Sequence, residues 1–252
     1  MADSPVIALL TDFGDKDGFV GAMKGVILSI NPKARIVDIT HSVTPFCIQE
    51  GALLLMAHYS YFPPGTIFVG VVDPGVGSQR PAIAMRCQDY YFVGPMNGLF
   101  DLVVRKLGTP QCHLIENFTL PRKNQTFHGR DIFAPVAAHL SKGVPLKDVG
   151  KEIPYRTHLV WEEPTLSGNT LVGKILYFDR FGNAITNVEC GPYREAIFRG
   201  ERIKVVTHFM EGEPGKLGSL CGSFGLMEIF LPMGNARETY GISLGEEVIF
   251  NL

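Results

Sequence analysis

The sequence has no apolar stretch long enough to cross a bilayer. Its longest unbroken runs, Val6 to Leu10 and Ala52 to Ala57, fall far short of the roughly 18 to 20 residues of a spanning helix, so a soluble chain is expected. It also lacks an excess of charge of either sign. Lys and Arg number 23 against 25 Asp and Glu, and the charged fraction is 19%, below the usual value of about a quarter. No field that would gather nucleic acid follows from this balance, and neither a nucleic-acid nor a membrane partner is expected. Met1-Ala2-Asp3-Ser4 has neither the basic start nor the apolar core of a secretory signal, so a cytoplasmic chain is expected.

Cysteine is sparse and unpatterned. Cys47, Cys87, Cys112, Cys190 and Cys221 are odd in number, widely spaced and nowhere arranged as Cys-x-x-Cys, so neither a disulfide framework nor a structural zinc site is expected. They are expected to be reduced, small buried hydrophobes. The seven histidines show no His-Glu-x-x-His spacing, and no metal centre is expected. Also missing are Gly-x-Gly-x-x-Gly after the first strand, the phosphate loop Gly-x-x-x-x-Gly-Lys-Ser/Thr and the Gly-x-Ser-x-Gly elbow, which leaves phosphate cradling and serine hydrolysis without support.

What is present is an alternation of strands and helices. Val6 to Thr11 is a continuous apolar run that ends in Asp12-Phe13-Gly14, and a helical pattern follows from Phe19 to Ile30. Arg35 to Ile39 reads as extended, Cys47 to Tyr59 as helical and Thr66 to Val72 as extended again. Strands at Ala82 to Arg86 and Tyr90 to Val93, then helices at Gly98 to Leu107 and about Asp131 to Leu140, complete the pattern. This predicts an α/β domain over residues 1–157, three-layered, with a mainly parallel sheet covered on both faces. Beyond it, short extended runs at Thr170 to Phe178, Ala184 to Val188, Arg202 to Val206, Met227 to Leu231 and Glu247 to Asn251 alternate with glycine turns. They predict a smaller C-terminal domain, residues 168–252, of mostly antiparallel β structure. The stretch from Pro154 to Gly168 joins the two.

In an open parallel sheet ligands bind beyond the carboxyl ends of the strands, where Asp12 and Asp73 fall. Asp12 suits the vicinal hydroxyls of a ribose, and a helix cap or turn is the plainer reading of its position. Asp73-Pro74-Gly75-Val76-Gly77-Ser78-Gln79-Arg80 sets an acid and a base seven positions apart across a glycine turn. A return of the chain would pair them and keep the carboxylate ionised, and an ordinary turn with an exposed Arg is the plainer alternative. His128 precedes a helix, whose positive end favours a neutral imidazole; a structural cap is the alternative. Phe178-Asp179-Arg180-Phe181-Gly182-Asn183-Ala184-Ile185-Thr186-Asn187 combines an acid, two aromatics and two amides, which suits a purine or a common hairpin turn.

Taken together these segments resemble one family, the S-adenosylmethionine hydroxide adenosyltransferases, or SAM hydrolases, relatives of the fluorinase and chlorinase. The resemblance rests on Leu10-Thr11-Asp12-Phe13-Gly14, Ile39-Thr40-His41-Ser42-Val43 through Pro45-Phe46, Val72-Asp73-Pro74-Gly75-Val76-Gly77 with Arg80, and Asn97-Gly98-Leu99. It continues in Thr126 to Pro135, Asp179 with Phe181-Gly182-Asn183, and Gly234-Asn235-Ala236. It implies hydrolysis of S-adenosyl-L-methionine to adenosine and L-methionine, with the substrate as the only small molecule and no cofactor. Asp73, Arg80 and His128 would position the attacking water. Asp12 would hold the ribose hydroxyls and Phe46 would pack near the sugar and sulfonium. Phe181, Asn183, Phe209 and Ala236 would surround adenine, and Asp179 and Ser223 would hold the methionine end. It further implies a homotrimer with sites between subunits. Met96, where the family carries an acid, and a longer spacing from Ser223 to Asn235 depart from the family pattern. A halogenating relative and a non-catalytic adenosine- or S-adenosylmethionine-binding protein are the alternatives.

Overall fold

The structure, a computed structural model, describes residues 5–121 and 125–252; Met1 to Ser4, read above for a leader, lie outside the described residues. The chain divides into two units, Met1–Leu159 and Val160–Leu252.

In the first unit the elements are β1 (Val6–Thr11), α1 (Phe19–Ile30), β2 (Arg35–Thr40), α2 (Ile48–His58), β3 (Ile67–Val71), β4 (Ala82–Cys87), β5 (Tyr90–Pro95), α3 (Asp101–Leu107), β6 (Gln111–Leu114) and α4 (Ala134–Ser141). Their sheet runs β2-β1-β3-β5-β4-β6. The first four strands are mutually parallel, while β4 is antiparallel to both β5 and β6. The β4–β5 turn is two residues long, so this half of the sheet is a hairpin and not a crossover unit.

Strand alternation explains the three layers. Ile7, Leu9, Val69 and Val71 face one side, where Val20, Met23 and Ile27 of α1 and Val136, Ala137 and Leu140 of α4 close over them. Leu10 faces the other side, toward α2, where a Cβ on Gly51 would strike Leu99 at 2.8 Å and Val72 at 3.0 Å. Gly51 thus lets α2 lie close to the sheet. α1 connects β1 to β2 in one direction, and α2 carries the chain back across β1 to β3. The order therefore reverses between β1 and β3, and a crevice opens beyond their carboxyl ends.

The second unit comprises β7 (Thr165–Ser167), β8 (Thr170–Phe178), β9 (Ala184–Glu189), β10 (Glu195–Phe198), β11 (Glu201–Lys204), β12 (Gly218–Cys221), β13 (Leu226–Phe230), α5 (Ala236–Tyr240) and β14 (Glu247–Asn251). The strand order is β11-β10-β14-β8-β9-β13-β12, with β7 paired to β8, and every pairing between these strands is antiparallel. A bridge from Val205 to Ser219 brings the two edges together, so the sheet nearly closes into a barrel around Ile175, Val188, Ile203, Ile229, Val248 and Phe250.

One expectation is overturned. Cys190 and Cys221 form a disulfide, with Cα atoms 5.2 Å apart. The two residues are 31 apart in sequence, but β13 lies between β9 and β12 and delivers their ends to one edge of the same turn. Cys87 and Cys112 are free and buried, as expected, and Cys47 is free and half-buried. Burial pushes the Cys112 thiol up to about 11.

Candidate active site

Asp12 follows β1 and Asp73 lies two residues past β3, the strand beside it, so parallel pairing alone brings both carboxylates to the crevice. A cleft of about 550 Å³ opens there, lined by Asp12, Phe46, Asp73, His128 and a group of phenylalanines.

The sharp turn after Asp73 returns Arg80 onto it. Val76 N donates to Asp73 O at 3.2 Å and Ser78 N to Gly75 O at 3.0 Å. Gly77 has φ +81° and its missing Cβ leaves room for the Gln125 carbonyl at 3.1 Å. The guanidinium then meets the carboxylate through two bonds, Nε to Oδ1 at 2.8 Å and Nη2 to Oδ2. Both side chains are nearly covered, 4% exposed for Asp73 and 10% for Arg80. Bidentate geometry and exclusion of water make this pair strong.

Arg80 Nη2 also donates to His128 Nδ1 at 2.7 Å. A guanidinium has no acceptor, so Nδ1 supplies the lone pair and the ring proton sits on Nε2. The imidazole is therefore neutral while this bond lasts. His128 is placed by a single π-helical turn, Gly129–Phe133, that leads into α4, a local widening frequent at functional sites. Phe133 backs the arrangement, with the Arg80 guanidinium 5.5 Å from its ring centroid.

Asp12 is tied to Phe46. Its Oδ2 accepts the Phe46 backbone N–H at 2.9 Å, and Phe46 holds φ +68°, a left-handed conformation strained for a residue with a Cβ. The ring stays 71% exposed. An exposed aromatic in a strained backbone, clamped by an acid at a cleft, is a common sign of a contact surface for ligand.

The second unit gathers another group. Asp179 builds the turn after β8: Oδ1 accepts from the N–H of Phe181 and of Asn183, each at 2.9 Å, and Oδ2 accepts from Asn183 Nδ2 at 2.9 Å. Gly182, at φ +82°, carries no Cβ that would strike Asn235, and its carbonyl accepts from Arg237 N at 3.0 Å. The turn is thereby clasped to the start of α5, next to buried Ala236. Phe181 remains 74% exposed. Phe209 packs edge-on against Phe230, with centroids 5.0 Å apart. Ser223 lies in the β12–β13 turn, whose Phe224 stacks on Tyr177 of β8. The structure thus brings Asp73, Arg80 and His128 into contact, places Asp12 and Phe46 beside them, and groups Asp179, Asn183 and Ala236 on the second unit.

Sequence reasoning gave no role to Glu228. Its carboxyl is buried at 6% exposure in the middle of β13, against Gly222, whose missing Cβ makes the space. Desolvation, and then the charge of Asp179, push it up to about 7. A lone acid in Leu226-Met227-Glu228-Ile229-Phe230 was the available signal.

The chain is similar to known proteins over nearly its whole length. The SAM hydroxide adenosyltransferase N-terminal domain family matches residues 7–150, and the C-terminal domain family matches residues 173–249. An "(R)-S-adenosyl-L-methionine hydrolase" of Thermus thermophilus is 36% identical, covering 96% of this chain and 98% of that protein. One from Salinispora arenicola is 35% identical, covering 98% of each. A fluorinase of Actinoplanes is 31% identical, over 73% of this chain and 72% of that protein. Among solved structures, an uncharacterized conserved protein from Thermotoga maritima superposes with a TM-score of 0.90 at 36% identity, covering 98% of this chain and all of that one.

Proposed function

The chain belongs to the SAM hydroxide adenosyltransferase family, and from that premise we propose that it hydrolyses S-adenosyl-L-methionine to adenosine and L-methionine. The observation that carries this reading is the chain Asp73–Arg80–His128 at the rim of a cleft that also holds Asp12. Carbon 5′ of the substrate already bears a cationic sulfonium leaving group, so its displacement needs no metal or cofactor. It needs a water aligned behind that carbon and an acceptor for the proton the water loses. The water oxygen bonds to carbon 5′, the carbon–sulfur bond breaks, methionine leaves as a neutral thioether, and the proton passes to the solvent by way of a carboxylate. Asp73 is that acceptor. Arg80 fixes its orientation through the two-bond contact and cannot itself take a proton. His128, with Nδ1 occupied by Arg80, presents Nε2–H and so orients an oxygen by donation.

Asp12 receives the ribose hydroxyls and Phe46 covers the sugar and sulfonium. Phe181, Asn183, Phe209 and Ala236 form the adenine surface. Asp179 spends three acceptor positions on its own turn and keeps one for the methionine ammonium, with Ser223 beside it. The two groups of residues come from different subunits of a homotrimer in this reading. Support comes from the exposed rings that each unit carries, Phe46 on the first and Phe181 and Phe209 on the second. Among the described residues no helix is long and apolar enough to cross a membrane; a cytoplasmic location follows from the substrate. Halogenation is disfavoured by Asp73, whose oxygens offer a halide no donor, and by the two-residue link from Cys87 to Tyr90, which leaves no place for the long insertion that marks halogenating relatives.

The test is incubation with S-adenosyl-L-methionine and chloride in water labelled with heavy oxygen. Adenosine carrying one labelled oxygen at its 5′ hydroxyl is expected. Chlorinated product, or unlabelled adenosine, refutes the proposal. In mixed oligomers, Asp12→Ala and Asn183→Ala proteins, each inactive alone, should recover activity if the site is shared.

A further inference from the structure

The segment Ile39-Thr40-His41-Ser42-Val43 has no part in the chemistry above, yet His41 is 7% exposed and touches the Asp12 loop on both flanks. Its ring Nδ1 lies 2.9 Å from Thr11 Oγ1, on the residue before Asp12. Its carbonyl accepts from Gly14 N at 2.8 Å, two residues after Asp12. Thr11 Oγ1 in turn accepts from Phe13 N at 3.2 Å. Three bonds therefore bracket Asp12 from Thr11 to Gly14.

The direction of each bond can be assigned. His41 Nε2 stands 3.0 Å from Asp38 Oδ1, an ion-pair contact, and makes no hydrogen bond of regular geometry among the described residues. Asp38 Oδ2 takes Lys24 Nζ at 2.5 Å. Burial pushes the Asp38 carboxyl up, but its bonds to Lys24 and His41 outweigh that and hold it below the ordinary value, so it is ionised and can only accept. With a ring proton on Nε2, the nitrogen that faces this carboxylate, Nδ1 accepts from the Thr11 hydroxyl, which in turn receives Phe13 N–H. Thr11 is fully buried and has no solvent partner to replace His41.

We propose that His41, oriented by Asp38, is a positioning residue that acts through Thr11 to hold the Asp12 carboxylate in the direction a ribose diol requires. This rests on the assignment of Asp12 to the ribose. Asp12 has one oxygen committed to Phe46 N, so rotation of the loop would turn both the acid and the exposed ring away from the nucleoside together. The function of the His41 segment is thus ground-state nucleoside binding, with little direct part in breaking the carbon–sulfur bond.

The test measures adenosine Kd by calorimetry, and kcat and KM for S-adenosyl-L-methionine, in the full chain. Thr11→Val removes the hydroxyl at constant shape, and Thr11→Ser restores it. His41→Gln places an amide near the Nε2 position and loses the Thr11 contact, whereas His41→Asn places its oxygen near Nδ1 and can regain it. Loss of one such buried bond should raise Kd and KM about tenfold in Thr11→Val and His41→Gln, with kcat changed much less. Thr11→Ser and His41→Asn should recover most of the loss. Asp38→Ala, a substitution at an exposed residue, should raise KM in the same sense by a smaller factor and serves if the buried variants fail to fold. Wild-type Kd in Thr11→Val and His41→Gln, or in Asp38→Ala where those two do not fold, overturns the proposal, as does a fall in kcat at constant KM. Asp12→Ala is the control. If it weakens adenosine binding while the others do not, the positioning role alone is wrong. If it leaves binding intact, the ribose assignment fails and the positioning role falls with it.

Discussion

Glu228 offers the sharpest physical test of the second unit. Its carboxyl, 6% exposed in the middle of β13, is raised from an ordinary 4.5 to about 7 by burial first and by the charge of Asp179 second. A raised carboxyl stabilises the fold fully below its unfolded value of 4.5, and this contribution is lost as pH climbs through the folded value near 7. The difference of about 2.5 pH units corresponds to on the order of 3 kcal/mol, an upper figure because structure and water relax around a newly charged group. Glu228→Gln keeps the shape and removes the ionisation. At pH 8 the variant should be more stable than the wild type by on the order of 2 kcal/mol, and near pH 4.5 the advantage should vanish. Urea unfolding of the full chain at several pH values measures this, and the single tryptophan, Trp161, lies in the same unit as the reporter. Comparing the two proteins at each pH cancels the titrating groups that do not interact with Glu228, which leaves Asp179 as the one coupled to it. A stability difference that does not change between pH 4.5 and 8 refutes the reasoning.

Asp73→Asn, Arg80→Ala and His128→Ala should each lower kcat by about a hundredfold or more with smaller changes in KM; because Arg80 bridges the other two, paired substitutions should cost far less than the sum. Phe46→Gly relieves a backbone strain of about 1 kcal/mol, so thermal stability should hold or rise while KM for S-adenosyl-L-methionine increases; a lower melting temperature would contradict this account of φ +68°. Closing a loop across 31 residues stabilises by about 3–4 kcal/mol in the chain-entropy view, so Cys221→Ser, or a reductant, should lower the urea midpoint reported by Trp161, and equal midpoints with and without reductant would mean that the bond contributes nothing.

The first unit was largely legible because its signals are local. An unbroken apolar strand, a polar break and a 3.6-residue periodicity set α1 at Phe19–Ile30, the bounds that are observed. Short strands escaped. β6 is four residues beginning with an exposed Gln111, β10 is four residues of half-buried alternation, and β7 is wholly exposed, so their existence rests on pairing partners and not on their own residues. The helix expected from Gly98 begins only at Asp101, and the one expected from Asp131 opens as a π turn.

The site divides along the same line. Asp73 and Arg80 were readable as a possible pair because seven residues with Gly75 and Gly77 between them permit a tight return, although an open turn with an exposed Arg fitted the same residues. His128 is 48 residues from Arg80, and no spacing rule spans that distance; its place before a helix singled it out, and only family resemblance joined it to the pair. The disulfide was missed for the same reason, since it depends on β13 lying between β9 and β12. Glu228 fails differently. In a strand with one wet face, a lone acid among apolar residues reads as the solvent side, but the nearly closed sheet has Leu220 opposite Glu228 on β12 and Ile185 opposite it on β9, and the turn at Gly222 covers the carboxyl. Periodicity identifies which residues share a face. Whether that face meets water is decided by residues far away in sequence, and it is there that a buried charge, and the pH dependence it brings, enters the fold.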